Sequence, residues 1–153
     1  MLTSKAKYGL RALLSLAKGY GQGPVMISAL AQQEGIPKKF LELILLDLKR
    51  AGILHSKKGK GGGYLLGKPP TAIGLGQVIR VLDGPLAPVR CVSQTAYRRC
   101  EDCADETTCG IRLAMKEVRD AIARILDGTT LGDVVRRTEA LKYRREEALT
   151  YHI

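Results

Sequence analysis

Residues 28–66 read SALAQQEGIPKKFLELILLDLKRAGILHSKKGKGGGYLL, and this stretch decides the fold. Ser28 can cap a short helix over residues 29–34, which Gly35 ends. Pro37 suits the first position of the next helix, and Gly52 ends that helix. Its apolar residues recur at the spacing of one buried helical face, namely Leu41, Ile44, Leu45 and Leu48. Because only two residues separate the helices, the pattern is typical of a helix-turn-helix.

The second half of the same stretch predicts a β-hairpin. Two short runs of β-prone residues, 53–56 and 64–66, flank a tip over residues 57–63 that contains only lysine and glycine. Glycine permits positive φ and a close approach of the backbone to a surface. The tip has neither the Gly-Lys-Ser/Thr ending nor the strand-then-helix frame of a nucleotide phosphate loop, so that alternative is weak. We therefore predict a winged helix-turn-helix.

The size and charge of the chain limit the classes of protein to which it can belong. It has 153 residues, a formal net charge of +10 and 45% hydrophobic residues, which fits one domain or a small module with an assembly element. Residues 1–66 have a net charge of +8, and residues 67–153 have a net charge of +2. This asymmetry predicts an anionic partner. No apolar run approaches the ~20 residues of a membrane span, so we expect a cytoplasmic protein with no membrane partner.

Helical spacing also predicts elements on either side of this stretch. Thr3 or Ser4 can cap a first helix, and another amphipathic helix follows the wing. Their apolar faces contain Leu10, Leu13, Leu14 and Ala17, and Leu75, Val78, Ile79 and Leu82. After Gly128 we expect a last short helix beginning near Leu131. Residues 139–153 are predicted to be a charged, frayed tail.

A further apolar seam follows the last cysteine. It consists of Ile111, Met115, Val118, Ile122 and Ile125, whose spacings are 4, 3, 4 and 3 residues. These spacings are those of a heptad seam over two heptads. Two copies that pack their seams against each other would form a homodimer. The alternative is that the seam packs only within its own subunit.

Cys91, Cys100, Cys103 and Cys109 lie within 19 residues, in a segment with little periodicity. In an intracellular chain, this density indicates a metal or redox site before a disulfide framework. Four thiolates suffice for a 2Fe–2S or 4Fe–4S cluster. They equally suffice for a structural zinc ion. Inert thiols are a further alternative.

The same cysteines could act as a thiol switch without any metal. Arg98 and Arg99 could lower the pKa of Cys100, although Glu101 and Asp102 would oppose them. The motif over residues 100–103 could also belong to a thiol–disulfide enzyme, but the chain lacks the strand–helix frame that such an enzyme needs.

Several of these motifs together resemble one family, the Rrf-two family of winged-helix transcription regulators, from residue 1 to about residue 137. The matching motifs are LTSK at 2–5, GIP at 35–37, FLE at 40–42, the Leu-Lys-x-x-Gly of 48–52, GGGYLLGK at 61–68 and TLGDVV at 130–135. The resemblance implies a dimeric DNA-binding regulator. Its fold is mainly α with a small β-hairpin wing, and a long C-terminal helix serves dimerisation.

A recognition helix in the major groove presents its N-terminal residues to base edges. Here those residues are Lys38, Lys39, Phe40 and Glu42. The lysines suit guanine edges or phosphates, and Glu42 can accept a hydrogen bond from cytosine N4. Phe40 either contacts DNA or belongs to the core.

The resemblance implies that Glu42 contacts bases and that Lys58 enters the minor groove, with Lys57, Gly59 and Lys60 beside it. The plain alternative for the tip is a solvated lysine cluster. We expect double-stranded DNA as the partner, in the form of a pseudo-palindromic operator with half-sites ~10 bp, or a multiple of that, apart.

The resemblance further implies a cluster held by Cys91, Cys103 and Cys109. Relatives supply a fourth ligand either three residues after the last cysteine, here Arg112, or on the first helix of the partner subunit, where this chain has Lys7 and Arg11. None of these three residues can serve as that ligand, so Cys100 is the candidate for the missing one. The implied protein is a redox, iron or nitric-oxide sensor. Whether it is a repressor or an activator stays open.

Neither His55 nor His152 has a carboxylate or nucleophile at a catalytic spacing, so we expect no enzymatic activity. A partner-binding module is the rival class of function, and it predicts no discrete dimer–DNA complex. We divide the chain into a DNA-binding domain over 1–84, a cysteine loop over 85–109, dimerisation and closing helices over 110–137 and a charged tail over 138–153.

Overall fold

The computed structural model describes residues 2–151, so Met1, Ile153 and the tail histidine His152 lie outside the description. Within that range, the chain forms six α-helices, one two-stranded hairpin and two short 3-10 helices. The α-helices are α1 (Ser4–Lys18), α2 (Ile27–Glu34), α3 (Lys38–Arg50), α4 (Leu75–Asp83), α5 (Gly110–Asp127) and α6 (Leu131–Thr150). The strands are β1 (Leu54–Lys57) and β2 (Gly63–Leu66), and the 3-10 helices are Pro70–Ala72 and Arg90–Val92.

The hydrophobic core lies among α1, α3, α4 and the base of the hairpin. The predicted face of α3 is fully buried, from Leu41 to Leu48. Leu13 of α1 and Val78 of α4 are equally buried in the same cluster. These elements confirm the prediction of a mainly helical winged helix-turn-helix. None of the helices in the described range combines the length and apolar character that crossing a membrane requires.

The ends of the helices follow local chemistry, with two wrong predictions. Thr3 caps α1, since its hydroxyl accepts a hydrogen bond from the Ala6 amide at 3.2 Å. Gly35 ends α2 in the left-handed conformation at φ +62°. Ser28 does not cap α2, because the helix starts one residue before it and Met26 holds the cap position without a side-chain bond. Pro37 precedes α3 at its cap position and is not its first residue.

The hairpin forms an antiparallel wing that is tied to the start of α2. Leu54 pairs with Leu66 and Lys57 with Gly63, while His55 is exposed on β1. Tyr64 and Val25 exchange two backbone hydrogen bonds of 2.8 Å, so the wing is anchored on β2, one residue pair from the end of the ladder where the tip begins. The tip is free to project beyond this anchor.

The C-terminal helices α5 and α6 pack against the N-terminal half of the chain. Thr130 and Asp133 form a capping box at the start of α6, and Leu131 is buried. α6 then packs against α1 and the 3-10 helix Pro70–Ala72. It continues to Thr150, so the predictions of a short last helix and of a frayed tail from residue 139 were wrong. Alanine, leucine, glutamate, lysine and arginine favour the helix here even without a buried face.

Candidate DNA-binding surface and cysteine pocket

The first turn of α3 presents charged side chains to solvent. Lys38, Lys39 and Glu42 are all exposed. Phe40 is half-buried, and its ring meets that of Tyr8 edge-on, with centroids 5.8 Å apart and planes at 83°. It also packs against the core cluster. The structure therefore favours the packing alternative for Phe40 and leaves the other three side chains available to a partner.

The wing tip is a second exposed basic surface. Lys57, Lys58, Gly59 and Lys60 are exposed, and Gly59 and Gly61 have φ of +88° and +73°. Within residues 2–151, no carboxylate lies within 4.0 Å of the tip lysines. Their charge is therefore not neutralised by the protein.

Two basic residues of α1, Lys5 and Arg11, have structural partners, in contrast to those of the tip. Lys5 pairs with Asp47 of α3 at 2.7 Å. Arg11 donates to the Glu34 carbonyl and lies 3.6 Å from its carboxylate, so it ties α1 to the end of α2. Arg11 thus has a packing role between these two helices.

All four cysteines line one pocket of about 410 Å³. Cys91 is buried within the 3-10 helix Arg90–Val92, Cys100 is exposed, and Cys103 and Cys109 are partly exposed. The thiols are all free. Cys109 caps α5, since its sulfur accepts a hydrogen bond from the Arg112 amide at 3.4 Å. The sequence predicted that the cysteines belong to one segment, and the structure places their side chains around one space.

The pKa of Cys100 is raised, chiefly because the Cys91 thiol interacts with it through a hydrogen bond, with Asp102 adding negative charge. The neighbouring arginines are engaged elsewhere. Arg98 pairs with Glu101 at 3.4 Å, and Arg99 donates to the Cys103 carbonyl at 2.9 Å. The alternative in which Arg98 and Arg99 activate Cys100 by lowering its pKa is therefore wrong.

Two kinds of bound group, a zinc ion and an iron–sulfur cluster, can be compared with the arrangement of the four thiols. Among residues 2–151, no three side chains of Cys, His, Asp and Glu are arranged to hold one metal ion. A four-cysteine zinc site needs every sulfur at ~2.3 Å from a single ion. A cluster places several iron and sulfide atoms between its thiolates, so its ligands can stand farther apart around a pocket. Four thiolates are a donor set that suits an iron–sulfur group and a zinc ion alike.

One member of this pocket was not predicted to be there. Arg112 lines the pocket with the cysteines, and its Nε is buried without a hydrogen-bond partner in the described chain. The sequence showed only that arginine cannot replace a histidine ligand at this position. No local pattern indicates that the Nε atom is shielded from solvent.

The heptad seam of α5 is largely uncovered in the single chain. Ile111 is 70% exposed and Ile125 is 61% exposed, while Met115 is partly buried. Val118 and Ile122 are also exposed. The alternative in which the seam packs within its own subunit is therefore wrong.

Comparisons with known proteins agree with this architecture. The Rrf2 family model, described as an iron-dependent transcriptional regulator, matches residues 2–137. An rrf2-like HTH-type transcriptional regulator of Rhodobacter capsulatus is 43% identical over 138 residues, which cover 88% of this chain and 92% of the relative. CymR of Bacillus subtilis, an HTH-type transcriptional regulator, is 34% identical over 152 residues, which cover 99% of both proteins.

Solved structures of transcriptional regulators are also similar to this chain. The CymR structure, described as that of the global cysteine regulator of B. subtilis, aligns with a TM-score of 0.74 at 35% identity over 90% of this chain and 97% of that one. T. potens IscR aligns with a TM-score of 0.74 at 28% identity over 92% and 90%. Because the relatives are transcriptional regulators, the prediction that the chain is not an enzyme is confirmed. The winged helix-turn-helix, the full-length relatives and the match over residues 2–137 show that this chain belongs to the Rrf2 family of transcriptional regulators.

Proposed function

We propose that this regulator is a cytoplasmic homodimer that contacts operator DNA with α3 and the wing and senses its signal at the cysteine pocket. The observation that carries the DNA-binding assignment is the pair of exposed basic surfaces, the first turn of α3 and the wing tip. Both lie in the half of the chain that holds most of its net positive charge. Unpaired lysines at these positions suit phosphates and base edges, because phosphate neutralisation dominates binding to DNA.

The DNA assignment is tested by the salt dependence of binding. The operator is first selected from random duplexes, and we expect a pseudo-palindrome with half-sites ~10 bp, or a multiple of that, apart. Lys58→Ala should then weaken binding and reduce the log–log salt slope by about one unit. Lys142→Ala on α6 is the control, because it removes the same charge outside both surfaces. Equal slopes for the two variants would refute the assignment of the wing.

We place the coupling between the cysteine pocket and the DNA-binding surfaces in α5. This helix of 18 residues is about 27 Å long and begins directly after Cys109. Its far end is held against α4, because Arg80 makes two hydrogen bonds of 2.6 and 2.9 Å to Asp127. The Leu75 amide also donates to the Thr129 carbonyl at 2.9 Å. A displacement at the cysteine end is thus transmitted to α4 through a rigid element.

A second connection reaches the middle of α5. Arg119, whose side chain is only 13% exposed, donates to the Val92 carbonyl, next to Cys91. Movement of the Cys91 turn therefore acts on α5 directly as well as through Cys109. A coupling of ~1–3 kcal/mol would suffice to change DNA affinity about 5- to 150-fold.

We further propose that the pocket binds a 2Fe–2S or 4Fe–4S cluster through Cys91, Cys103 and Cys109, with Cys100 as the fourth ligand. The support is the position of all four thiols around one pocket and the match to a family described as iron-dependent. When bound, the cluster supplies an electron-accepting centre that responds to redox state or iron supply. The chain supplies the thiolates, the partly closed pocket and the connection to α5.

Anaerobic purification with counts of iron, acid-labile sulfide and zinc tests the cluster. We expect equal iron and sulfide in the wild-type protein and little of either in Cys103→Ala. Thr108→Ala is the matched control, because Thr108 lines the pocket without offering a thiolate. Iron content that is unchanged in Cys103→Ala would refute the ligand assignment. A full complement of zinc without iron would favour the zinc alternative.

One observation favours a second sensing chemistry in the absence of iron. Cys91 and Cys100 line the same pocket, and Cys100 is exposed. A peroxide could oxidise this pair to a disulfide, releasing water and displacing the turn at Cys91. Iron-free protein whose DNA affinity changes on peroxide treatment, but not after Cys100→Ser, would support this mechanism.

A further inference from the structure

Arg112 lines the cysteine pocket and carries a guanidinium nitrogen without a hydrogen-bond partner among the described residues. It lies in the first turn of α5, and its amide donates to the Cys109 sulfur. Its Nε atom is shielded from solvent and has no hydrogen-bond acceptor in the described chain. Across residues 2–151, no carboxylate lies within 4.0 Å of its guanidinium group.

One nearby acidic side chain, that of Glu106, is already engaged. Glu106 accepts a hydrogen bond of 2.6 Å from the Tyr97 hydroxyl, and this bond is the main cause of the raised pKa of Tyr97. The positive charges of Arg112 and Arg99 oppose that rise, which places Arg112 close to the pair without a bond to it. The protein therefore brings a guanidinium group to the pocket and provides no acceptor for its Nε–H.

An arginine donor without an acceptor makes the protein less stable while the pocket has nothing bound in it. An arginine side chain cannot lose its proton in a protein, so it cannot escape the penalty by becoming neutral. A buried donor without an acceptor loses the hydrogen bond that water gave it, and the loss is larger for a charged group. An anionic occupant with acceptor atoms of its own would relieve both deficits.

We propose that Arg112 is a non-ligand member of the cysteine pocket whose guanidinium group donates a hydrogen bond to a sulfur of the iron–sulfur group held by the cysteines. The inference rests on the proposed cluster and adds a specific role for one residue of this chain. Hydrogen bonds to cluster sulfurs and nearby positive charge favour the reduced, more negative state. Arg112 therefore raises the reduction potential of the site and does not hold iron itself.

The proposal predicts opposite effects of one substitution in the two states of the protein. Arg112→Met removes the charge and every donor while keeping an unbranched side chain. In iron-free protein it should raise Tm, by roughly 2–4 °C, because the unsatisfied cation is gone. In the iron-loaded protein it should leave the iron and sulfide counts unchanged and lower the midpoint potential. Arg124→Met, on the exposed surface of the same helix, is the control and should change neither quantity.

The decisive experiment is an anaerobic redox titration followed by visible absorption, with Tm measured on iron-free samples of the same variants. Equal midpoint potentials for Arg112→Met and Arg124→Met in iron-loaded protein would overturn the role of Arg112 and leave the cluster intact. Loss of iron from Arg112→Met alone would overturn its non-ligand role. Wild-type protein that binds no iron would overturn both proposals. In every case, an unchanged or lowered Tm of iron-free Arg112→Met would contradict the argument that Arg112 carries an unsatisfied donor.

Discussion

Truncation of Ile125 to alanine should separate the two subunits without unfolding either of them. The side chain is 61% exposed on the seam of α5, so it contributes little to the stability of the single chain. Complete burial of an isoleucine side chain is worth ~1.5–3 kcal/mol. Covering the exposed part in a dimer is therefore worth about 1–2 kcal/mol in each subunit. Because two copies lose most of this burial together, we expect a loss of about 2–3 kcal/mol per dimer.

That loss corresponds to a dimer dissociation constant raised roughly 30- to 150-fold. Sedimentation equilibrium over a series of protein concentrations measures the constant directly. Leu43→Ala is a matched control, because Leu43 is 60% exposed on α3, outside the seam. Circular dichroism should show both variants folded. Equal dissociation constants for the two variants, or a wild-type protein that is monomeric at every concentration, would refute the assignment of the seam.

Three further predictions concern the fold that supports these surfaces. Gly63→Ala should lower Tm and weaken DNA binding. The reason is that Gly63 has φ +147° and that a Cβ there would collide with the Val25 carbonyl. Normal DNA binding by this variant would contradict the role of the wing anchor. Asp127→Asn should lower stability by ~0.5 kcal/mol at pH 7 in urea unfolding. The Arg80 hydrogen bond lowers the pKa of Asp127, so this contribution to stability is present above pH ~4 and is lost as the pH falls through the lowered pKa. Below that pKa, the wild-type protein and Asp127→Asn should unfold at the same urea concentration. Leu45→Ala should lower the free energy of unfolding by about 2–5 kcal/mol, because the side chain is fully buried, and a smaller loss would contradict a tightly packed core.

Much of the fold was predictable because burial leaves a period in the sequence. The faces of α1, α3 and α4 are built from apolar residues at helical spacing, and the structure buries most of them. The length of α6 was missed for the opposite reason. Beyond Thr138 the helix has no buried face, so only the intrinsic preferences of its residues indicate it.

The candidate site was predictable in its residue types and less so in its geometry. Cysteine density identified the segment, but no spacing rule gives the path of an irregular loop. Here the Arg98 amide donates to the Arg90 carbonyl at 3.3 Å, and this bond returns the chain toward Cys91. The raised pKa of Cys100 follows from that proximity, whereas its sequence neighbours alone left the direction open.

The sensing and the dimerisation that we propose both depend on one helix, α5. Its first turn begins at Cys109, its middle holds the Cys91 turn through Arg119, and its last turn is fixed to α4 through Asp127. The seam runs along the same helix, so a rigid shift of α5 must also move the surface that we propose as the dimer interface. In a symmetric dimer, both DNA-binding units then change position together. A small displacement at the pocket can therefore alter the separation of two recognition helices without any change within either winged domain.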